Sequence, residues 1–500
     1  MPGTQTLTAA RVQPDSAIQS ERQTLDRSLA QGIAWTGVVK WGTQILSWAS
    51  TIVVARLLTP ADYGLVAIAI TFFGFVTMVN EFGLGTAVIT KRDLSDQQIA
   101  QLNCLAVILG VVAFVISGAI AVPLSRFFGM PDLGWVVVVT AIGFLMTGFR
   151  TVPAALIEKD LQFRLLALME GAQALTGSLG VVAMALSGFG YWALVLGGLL
   201  STTVWTVLTL ILRRHRFVKP VFQSIREAIT FSWHLILMRL TWYLYSNADR
   251  LIAGKLLGQA ALGAYTFAST LASVPVEKVA GLINRVTPAV FSAIQTEHAD
   301  LRRYLLTLTE GLALFTFPTT IGLALVADEF VPLVLGERWE SVVAPLRVLA
   351  LYAAYNSIMT VLSPTVLVTG KSRLGMLNGF WSVVLLVPAF YIGSKWGIVG
   401  IAVAWLVTFP FTTIPIYWHV FRSIGLPVNQ YLRALWPALS GSVLMAAVVL
   451  LVKQILPPWP LPIHLGFQVI GGCAAFALSI LLLHRDRVNR FLQLINSLRS

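Results

Sequence analysis

The sequence predicts an all-α polytopic membrane protein, and three observations support this fold class. Hydrophobic residues make up 57% of the 500 residues and charged residues only 11%, with a mean hydropathy of +0.79, which is not the composition of a soluble domain. Apolar stretches long enough to cross a membrane recur along the chain, and a residue pattern is repeated after 199 positions. We therefore expect about 14 transmembrane helices, in two pseudo-symmetric lobes of six helices with two extra C-terminal helices.

The apolar segments give the helix count. A membrane-spanning helix needs about 20 apolar residues, and fourteen segments of the chain meet this requirement. They lie near residues 32–56, 64–89, 99–122, 134–157, 165–187, 190–212, 229–254, 261–291, 305–327, 342–368, 374–394, 397–421, 432–455 and 463–484. An even count places both termini on the same side of the membrane.

Lysine and arginine are concentrated in the two tails and in alternate loops, which places both termini in the cytoplasm. The polar first 28 residues predict a mobile tail, and the apolar run after them is too long for a cleaved signal peptide. The remaining loops are short, and the longest external one is predicted at 328–340. The predicted domains are a cytoplasmic tail (1–28), an N-lobe (29–212), a basic linker (213–228), a C-lobe (229–421), and helices 13 and 14 with a C-terminal tail (422–500).

The internal repeat relates the two predicted lobes. Arg56 and Gly64, in the sequence ARLLTPADYG, recur as Lys255 and Gly263 in GKLLGQAALG. Because six helices separate the two copies, both lobes have the same orientation and are related about an axis along the membrane normal, as in several alternating-access transporters.

The same offset carries Lys40 onto Arg239, so a cation occurs at the same place in the first helix of each lobe. A cation within a membrane helix costs roughly 3 kcal/mol or more unless it faces protein or water, which makes it a functional candidate. We expect predicted helices 1, 2, 7 and 8 to line one polar cavity, although polar stripes also serve helix packing alone. Its predicted residues are the cations Lys40, Arg239, Arg250, Arg56 and Lys255, the acids Glu81, Glu277 and Asp249, and the polar residues Gln44, Tyr243 and Asn284.

Several of these residues have an alternative interpretation. Arg56 and Lys255 fall at helix ends, where long cations reach the membrane interface without a binding role. Asp249 beside Arg250 is expected to neutralise it, and Glu81, Glu277 or Asp249 could bind a coupling ion. Cations in this cavity suit an anionic, amphipathic ligand, because arginine and lysine both bind phosphate oxygens.

Other chemistry is not indicated by the sequence. GKS at 370–372 has Thr365 where a phosphate-binding P-loop needs its first glycine, and no HExxH motif or nucleophile–base arrangement stands out. Cys104 and Cys473 form neither a disulfide framework nor a metal motif. The net charge of +13 follows from membrane topology and predicts contact with anionic lipids rather than with nucleic acid. We therefore expect a transporter without cofactor or metal.

Six motifs in order resemble one family over residues 28–484. They are ARLLTPADYGLVAIA with EFGLGTAVI, PAALIEKDLQFR, GFGYWALVLG, NADRLIAGKLLG, PLVLGERWESVVAPLRVL and WGIVGIAVAW. The chain resembles the bacterial polysaccharide flippases, which are Wzx-like transporters of the multidrug, oligosaccharidyl-lipid and polysaccharide exporter superfamily. The resemblance implies a fourteen-helix, two-lobe transporter of the bacterial inner membrane.

The resemblance also implies the activity and the partners. Such proteins move a polyprenyl-diphosphate-linked oligosaccharide, for exopolysaccharide, capsule or O-antigen synthesis, from the cytoplasmic to the periplasmic face by alternating access, alongside other polysaccharide-assembly proteins. A drug or organic-cation antiporter of the same superfamily is the alternative, and it would favour acidic cavity residues. A membrane polysaccharide polymerase or ligase is the third hypothesis, which the short loops oppose. The glycan, the coupling to H⁺ or Na⁺ and the oligomeric state stay open.

Overall fold

The computed structural model describes residues 42–80, 84–90, 94–160, 162–213, 216–221, 240, 242–293, 297–368, 372–456 and 459–485. Within these residues the regular structure is helical. The helices are α1 (42–57), α2 (Pro60–Asn80), α3 (Leu84–Thr90), α4 (Asp96–Phe128), α5 (Leu133–Lys159), α6 (Phe163–Leu186), α7 (Trp192–Leu212), α8 (242–256), α9 (Gln259–Ala293), α10 (His298–Leu325), α11 (Ala327–Val334), α12 (Val343–Val368), α13 (Ser372–Gly393), α14 (Gly397–Ile424), α15 (Val428–Ile455) and α16 (Leu461–Leu483).

Ten helical stretches of the described residues are long and apolar enough to cross a membrane. Large apolar side chains stay exposed along them, as on α16, where Leu482 is 76% exposed. Such a surface is expected when the surrounding medium is lipid rather than water. The all-helical, multi-pass membrane fold is thus confirmed, whereas the count of fourteen helices remains a prediction.

The stretch 328–340 differs from its prediction as an external loop. The structure folds it into α11 and the 3-10 helix Glu337–Val342. Asp328 and Glu329 lie in the first turn of α11, where carboxylates stabilise the exposed N–H groups of a helix. The sequence pattern does not predict α11, because this helix has only two turns and contains Pro332.

The first turns of α2 and α9 cross at the two glycines of the repeat. A Cβ atom on Gly64 would lie 1.8 Å from the carbonyl oxygen of Gln259, and one on Gly263 would lie 1.7 Å from that of Pro60. The Gln259 side chain donates a 2.9 Å hydrogen bond to the Ala61 carbonyl across the same contact. The two backbones touch, so glycine is required at both positions.

Three aromatic side chains cover this crossing. Tyr63 and Phe267 pack edge to face with ring centroids 5.3 Å apart, and Trp339 lies 5.2 Å from Tyr63 and 4.5 Å from Phe267. Trp339 is fully buried and donates a 2.8 Å hydrogen bond from Nε1 to the Ala55 carbonyl of α1. We call the part of the protein around Gly64, Gly263 and Trp339 the crossing end; α1 and α2 of the first half meet α9 and the 3-10 helix of the second half there.

Trp339→Phe is expected to lower the thermal midpoint of the detergent-solubilised protein by a small, measurable amount. The change keeps an aromatic ring but removes part of the buried indole surface and the bond to Ala55, which is worth about 1 kcal/mol. Trp396→Phe is the matched control, because Trp396 is 71% exposed at a helix connection. Equal midpoints for the two variants would contradict a stabilising role of the Trp339 hydrogen bond.

Candidate functional site

The described part of α1 carries a polar stripe on one face. Gln44, Ser47 and Thr51 follow steps of three and four residues, so they lie along one side of the helix. The neighbouring face packs on α6, where Ser50 donates a 3.0 Å hydrogen bond to the Ser178 carbonyl. α1 therefore contacts α6 beside its polar stripe.

Lys278 of α9 contacts the polar stripe of α1. Its ammonium group donates a hydrogen bond to the Gln44 side-chain oxygen and lies 5.7 Å from the ring centroid of Trp48. Trp48 is exposed, and it adjoins an apolar face of α1 with exposed Ile45 and Ile52. Lys278 thus lies where the polar and the apolar faces of α1 meet.

The charge of Lys278 has no carboxylate partner in the part of the chain that the structure describes. The side chain is half-buried, and both groups that contact it, Gln44 and Trp48, are neutral. Lys278 lies fifteen residues after Gly263, about 22 Å along α9 at roughly 1.5 Å per residue. Among the described residues Lys278 is therefore a half-buried cation with no carboxylate partner, and such a cation is a functional candidate where its helix lies in a membrane.

Sequence reasoning selected Glu277 and missed its neighbour Lys278. The polar stripe on predicted helix 8 contains Glu277, whereas Lys278 lies about 100° further around the helix. In the structure Glu277 is exposed. The sequence feature that indicates Lys278 is a cation inside the long apolar segment 261–291; the polar stripe does not include it.

Arg250 and Asp249 lie side by side on α8 but point to different partners. Asp249 is 4% exposed, and its carboxylate accepts hydrogen bonds from the Tyr265 hydroxyl at 2.7 Å and from Trp405 Nε1 at 2.8 Å. It also accepts the backbone N–H of Arg250 at 2.8 Å. The Arg250 side chain instead donates to Asn247 at 3.1 Å, and its buried Nε has no hydrogen-bond partner among the described residues.

The expected ion pair between Asp249 and Arg250 is therefore not formed among the described residues. A carboxylate that accepts two buried side-chain donors and one backbone N–H is already well solvated by the protein. Asp249 thereby joins α8, α9 and α14. The guanidinium of Arg250 keeps donor capacity, as a binding group requires.

Tyr243 lies at the contact between α8 and α2. Its hydroxyl donates to the Thr71 carbonyl, and a Cβ atom on Gly74 would lie 2.6 Å from the hydroxyl oxygen. Its ring packs beside Phe75, with centroids 6.0 Å apart. This predicted cavity residue thus holds α8 against α2 in the structure, and a contact with substrate stays a prediction.

Arg56 and Lys255, the cations paired by the repeat, both contact backbone carbonyls at the crossing end. Arg56 Nε donates to the Val334 carbonyl at 2.8 Å, and its Nη2 donates to the Leu333 carbonyl. Lys255 donates to the Phe127 carbonyl and lies 4.4 Å from the centroid of the Phe127 ring. Both side chains are exposed, and their predicted contact with substrate stays untested.

Four predicted site residues cannot be placed. Lys40, Glu81 and Arg239 lie outside the described residues, and the side chain of Asn284 is also outside them. Among the residues that are described, no group of three or more histidine, cysteine, aspartate or glutamate side chains could hold a metal ion. The structure therefore brings together Gln44, Trp48 and Lys278 at one place and Asp249 with its three donors at another.

The sequence matches the family described as "Polysaccharide biosynthesis protein" over residues 53–344. An uncharacterized membrane protein in the cps region of Klebsiella pneumoniae is 24% identical over 445 residues, which cover 88% of this chain and 92% of that protein. The lipopolysaccharide biosynthesis protein WzxC of Escherichia coli (strain K12) is 24% identical over 415 residues, covering 81% of this chain and 83% of WzxC.

Among solved structures, the lipid II flippase MurJ in an inward closed conformation is similar to this chain with a TM-score of 0.74. The match covers 91% of this chain and 100% of that chain at 13% sequence identity. At this identity the likeness shows a shared fold and carries no residue roles.

Proposed function

The chain belongs to the polysaccharide biosynthesis protein family, and from this premise we propose that it translocates a polyprenyl-diphosphate-linked oligosaccharide repeat unit across the bacterial inner membrane by alternating access. Two likenesses support the proposal. WzxC, which is similar over most of both chains, is named for lipopolysaccharide biosynthesis, and the fold is shared with a flippase of lipid II. On this proposal the protein is a transporter and not an enzyme.

Lys278 is the observation that carries the proposal. Among the described residues its ammonium group contacts the neutral side chains of Gln44 and Trp48 and keeps donor capacity for an anion, and a diphosphate offers several strong acceptor oxygens. Its place beside the apolar face of α1 suits a ligand with a charged head and a lipid tail. An organic cation would be repelled at this place, which favours the flippase over the drug antiporter.

The finer arrangement belongs to the same proposal. We infer fourteen membrane helices in two six-helix lobes with helices 13 and 14 outside them, and both termini in the cytoplasm. Lys40, Arg239 and Arg250 would add cations to the binding site, and Glu81, Glu277 or Asp249 would bind a coupling H⁺ or Na⁺. Anionic lipids at the basic loops and other polysaccharide-assembly proteins are the proposed partners.

Lys278→Gln is expected to lower the rate of translocation at least tenfold in proteoliposomes containing a fluorescent polyprenyl-diphosphate oligosaccharide. Glutamine keeps a polar, unbranched side chain but removes the charge and with it a charge-assisted bond worth about 1.5–3 kcal/mol. Lys219→Gln is the matched control, because Lys219 is exposed in the linker between α7 and α8. Lys278→Arg, which keeps the charge, is expected to retain a large part of the activity.

The outcomes test the flippase function and the role of Lys278 separately. Lack of translocation by the wild-type protein with several glycan headgroups would contradict the flippase, and uptake of an organic cation by the same vesicles would support the antiporter. Translocation by wild type and by Lys278→Gln at equal rates would leave the function standing and remove Lys278 from the site.

A further inference from the structure

Arg56 caps a helix that lies far from it in the sequence. It ends α1 in the first half of the chain and donates to the Leu333 and Val334 carbonyls, the last two of α11 in the second half. The final carbonyls of a helix have no partner within the helix and carry its negative dipole end. A cation at this place donates hydrogen bonds to the unpaired carbonyls and interacts favourably with the negative end of the dipole.

Lys255, in the second half of the chain, caps a helix of the first half. It lies near the end of α8 in the second half of the chain and donates to the Phe127 carbonyl in the last turn of α4, in the first half. The last turn of α4 is fixed by Gly129, which has φ of 68° and donates its N–H to the Arg126 carbonyl. Since Arg56 and Lys255 are 199 positions apart, equivalent residues of the repeat each cap a helix of the other half.

The capped helix α11 is anchored firmly within the second half. Asp328 forms an ion pair with Arg347 of α12, and Glu329 forms one with Lys453 of α15 at 3.0 Å. Gln468 of α16 donates to Glu329 at 2.9 Å. The contact of Arg56 with α11 therefore connects α1 to several helices of the second half.

The caps differ from the buried part of the crossing end in being exposed. Trp339 is buried, whereas Arg56 and Lys255 are exposed and have no ion pair with a described carboxylate. If the two halves separate at this end, both cations pass into water or the membrane interface at little cost. Their bonds exist only while the halves are in contact, so they favour the closed arrangement alone.

We propose that Arg56 and Lys255 form a pair of crossed caps that holds the crossing end closed and sets the balance between its closed and open states. The proposal rests on alternating access as part of the proposed function, and it assigns the two cations to conformational control rather than to substrate contact. Each cap is expected to shift the ratio of closed to open protein about two- to fivefold.

The test measures the distance across the crossing end by pulsed electron paramagnetic resonance in liposomes without substrate. Nitroxide labels are placed at Phe189→Cys and Trp396→Cys, two exposed positions in the α6–α7 and α13–α14 connections, after Cys104 and Cys473 are replaced by serine. Arg56→Gln and Lys255→Gln are each expected to increase a longer-distance population, and the double variant is expected to increase it further. Arg56→Lys keeps a capping charge and is expected to stay close to wild type.

Arg126→Gln is the matched control, because Arg126 is an exposed arginine in the last turn of α4 and forms no ion pair among the described residues. Unchanged distances in Arg56→Gln and Lys255→Gln would overturn the proposal, and so would an equal change in Arg126→Gln. Each variant is checked for monodisperse elution before labelling. The measurement needs no translocation, so failure of the crossed caps and failure of the flippase are read out separately.

Discussion

Gly64→Ala is expected to prevent full closure of the crossing end and to reduce translocation more than tenfold. The added Cβ would lie 1.8 Å from the Gln259 carbonyl oxygen and 3.0 Å from the backbone nitrogen of Gly263. Both atoms belong to backbone, which cannot rotate away as a side chain can. To reach an ordinary contact distance, α2 and α9 must move apart by roughly 1.5–2 Å, and overpacking of this kind costs about 1–3 kcal/mol or more.

The measurements are the thermal midpoint in detergent, the translocation rate and the label distance between positions 189 and 396. Gly118→Ala is the control, since a Cβ atom on Gly118 of α4 would meet nothing within 4 Å. Gly263→Ala is expected to reproduce the effect of Gly64→Ala, because its Cβ would lie 1.7 Å from the Pro60 carbonyl oxygen. A Gly64→Ala protein that matches Gly118→Ala in all three measurements would show that the crossing has room for a methyl group.

The sequence identified the two glycines as equivalent but could not show that they touch. A repeat establishes which positions correspond, whereas their separation depends on how far each lies from the axis that relates them. In the structure Gly64 and Gly263 meet, and Arg56 and Lys255 each contact a helix of the opposite half of the chain. The distance from an axis is a tertiary property, and no local pattern encodes it.

The sequence predicts the positions of the helices better than it predicts which side chains contact each other. The predicted segment 134–157 lies within α5, and the segment 432–455 lies within α15, because apolar length alone specifies such helices. Partners depend on rotation about each helix axis. One residue step, from Glu277 to Lys278, changes the contact from an exposed face to Gln44 of α1.

Asp249→Leu is expected to give a large loss of stability. Leucine has a similar volume, but it leaves the Tyr265 hydroxyl and the Trp405 indole N–H without their acceptor. An unpaired buried donor costs about 1–3 kcal/mol, so we expect a loss on the order of 3 kcal/mol or more and a marked fall in thermal midpoint. Asp132→Leu is the control, since Asp132 is exposed and its side chain makes no capping bond to α5.

The double variant Asp249→Leu, Tyr265→Phe distinguishes lost hydrogen bonds from lost packing. Removing both partners of a buried hydrogen bond costs much less than removing one, because no polar group is then left unpaired. Phenylalanine keeps the ring of Tyr265, so the double variant is expected to be more stable than Asp249→Leu alone, although it carries more changes. If the added substitution lowered the midpoint further, the carboxylate would matter through packing or charge and not as the acceptor that joins α8 to α9. Because Asp249 and Tyr265 lie on different helices, this ordering of midpoints tests how the second half of the protein is held together around one buried charge.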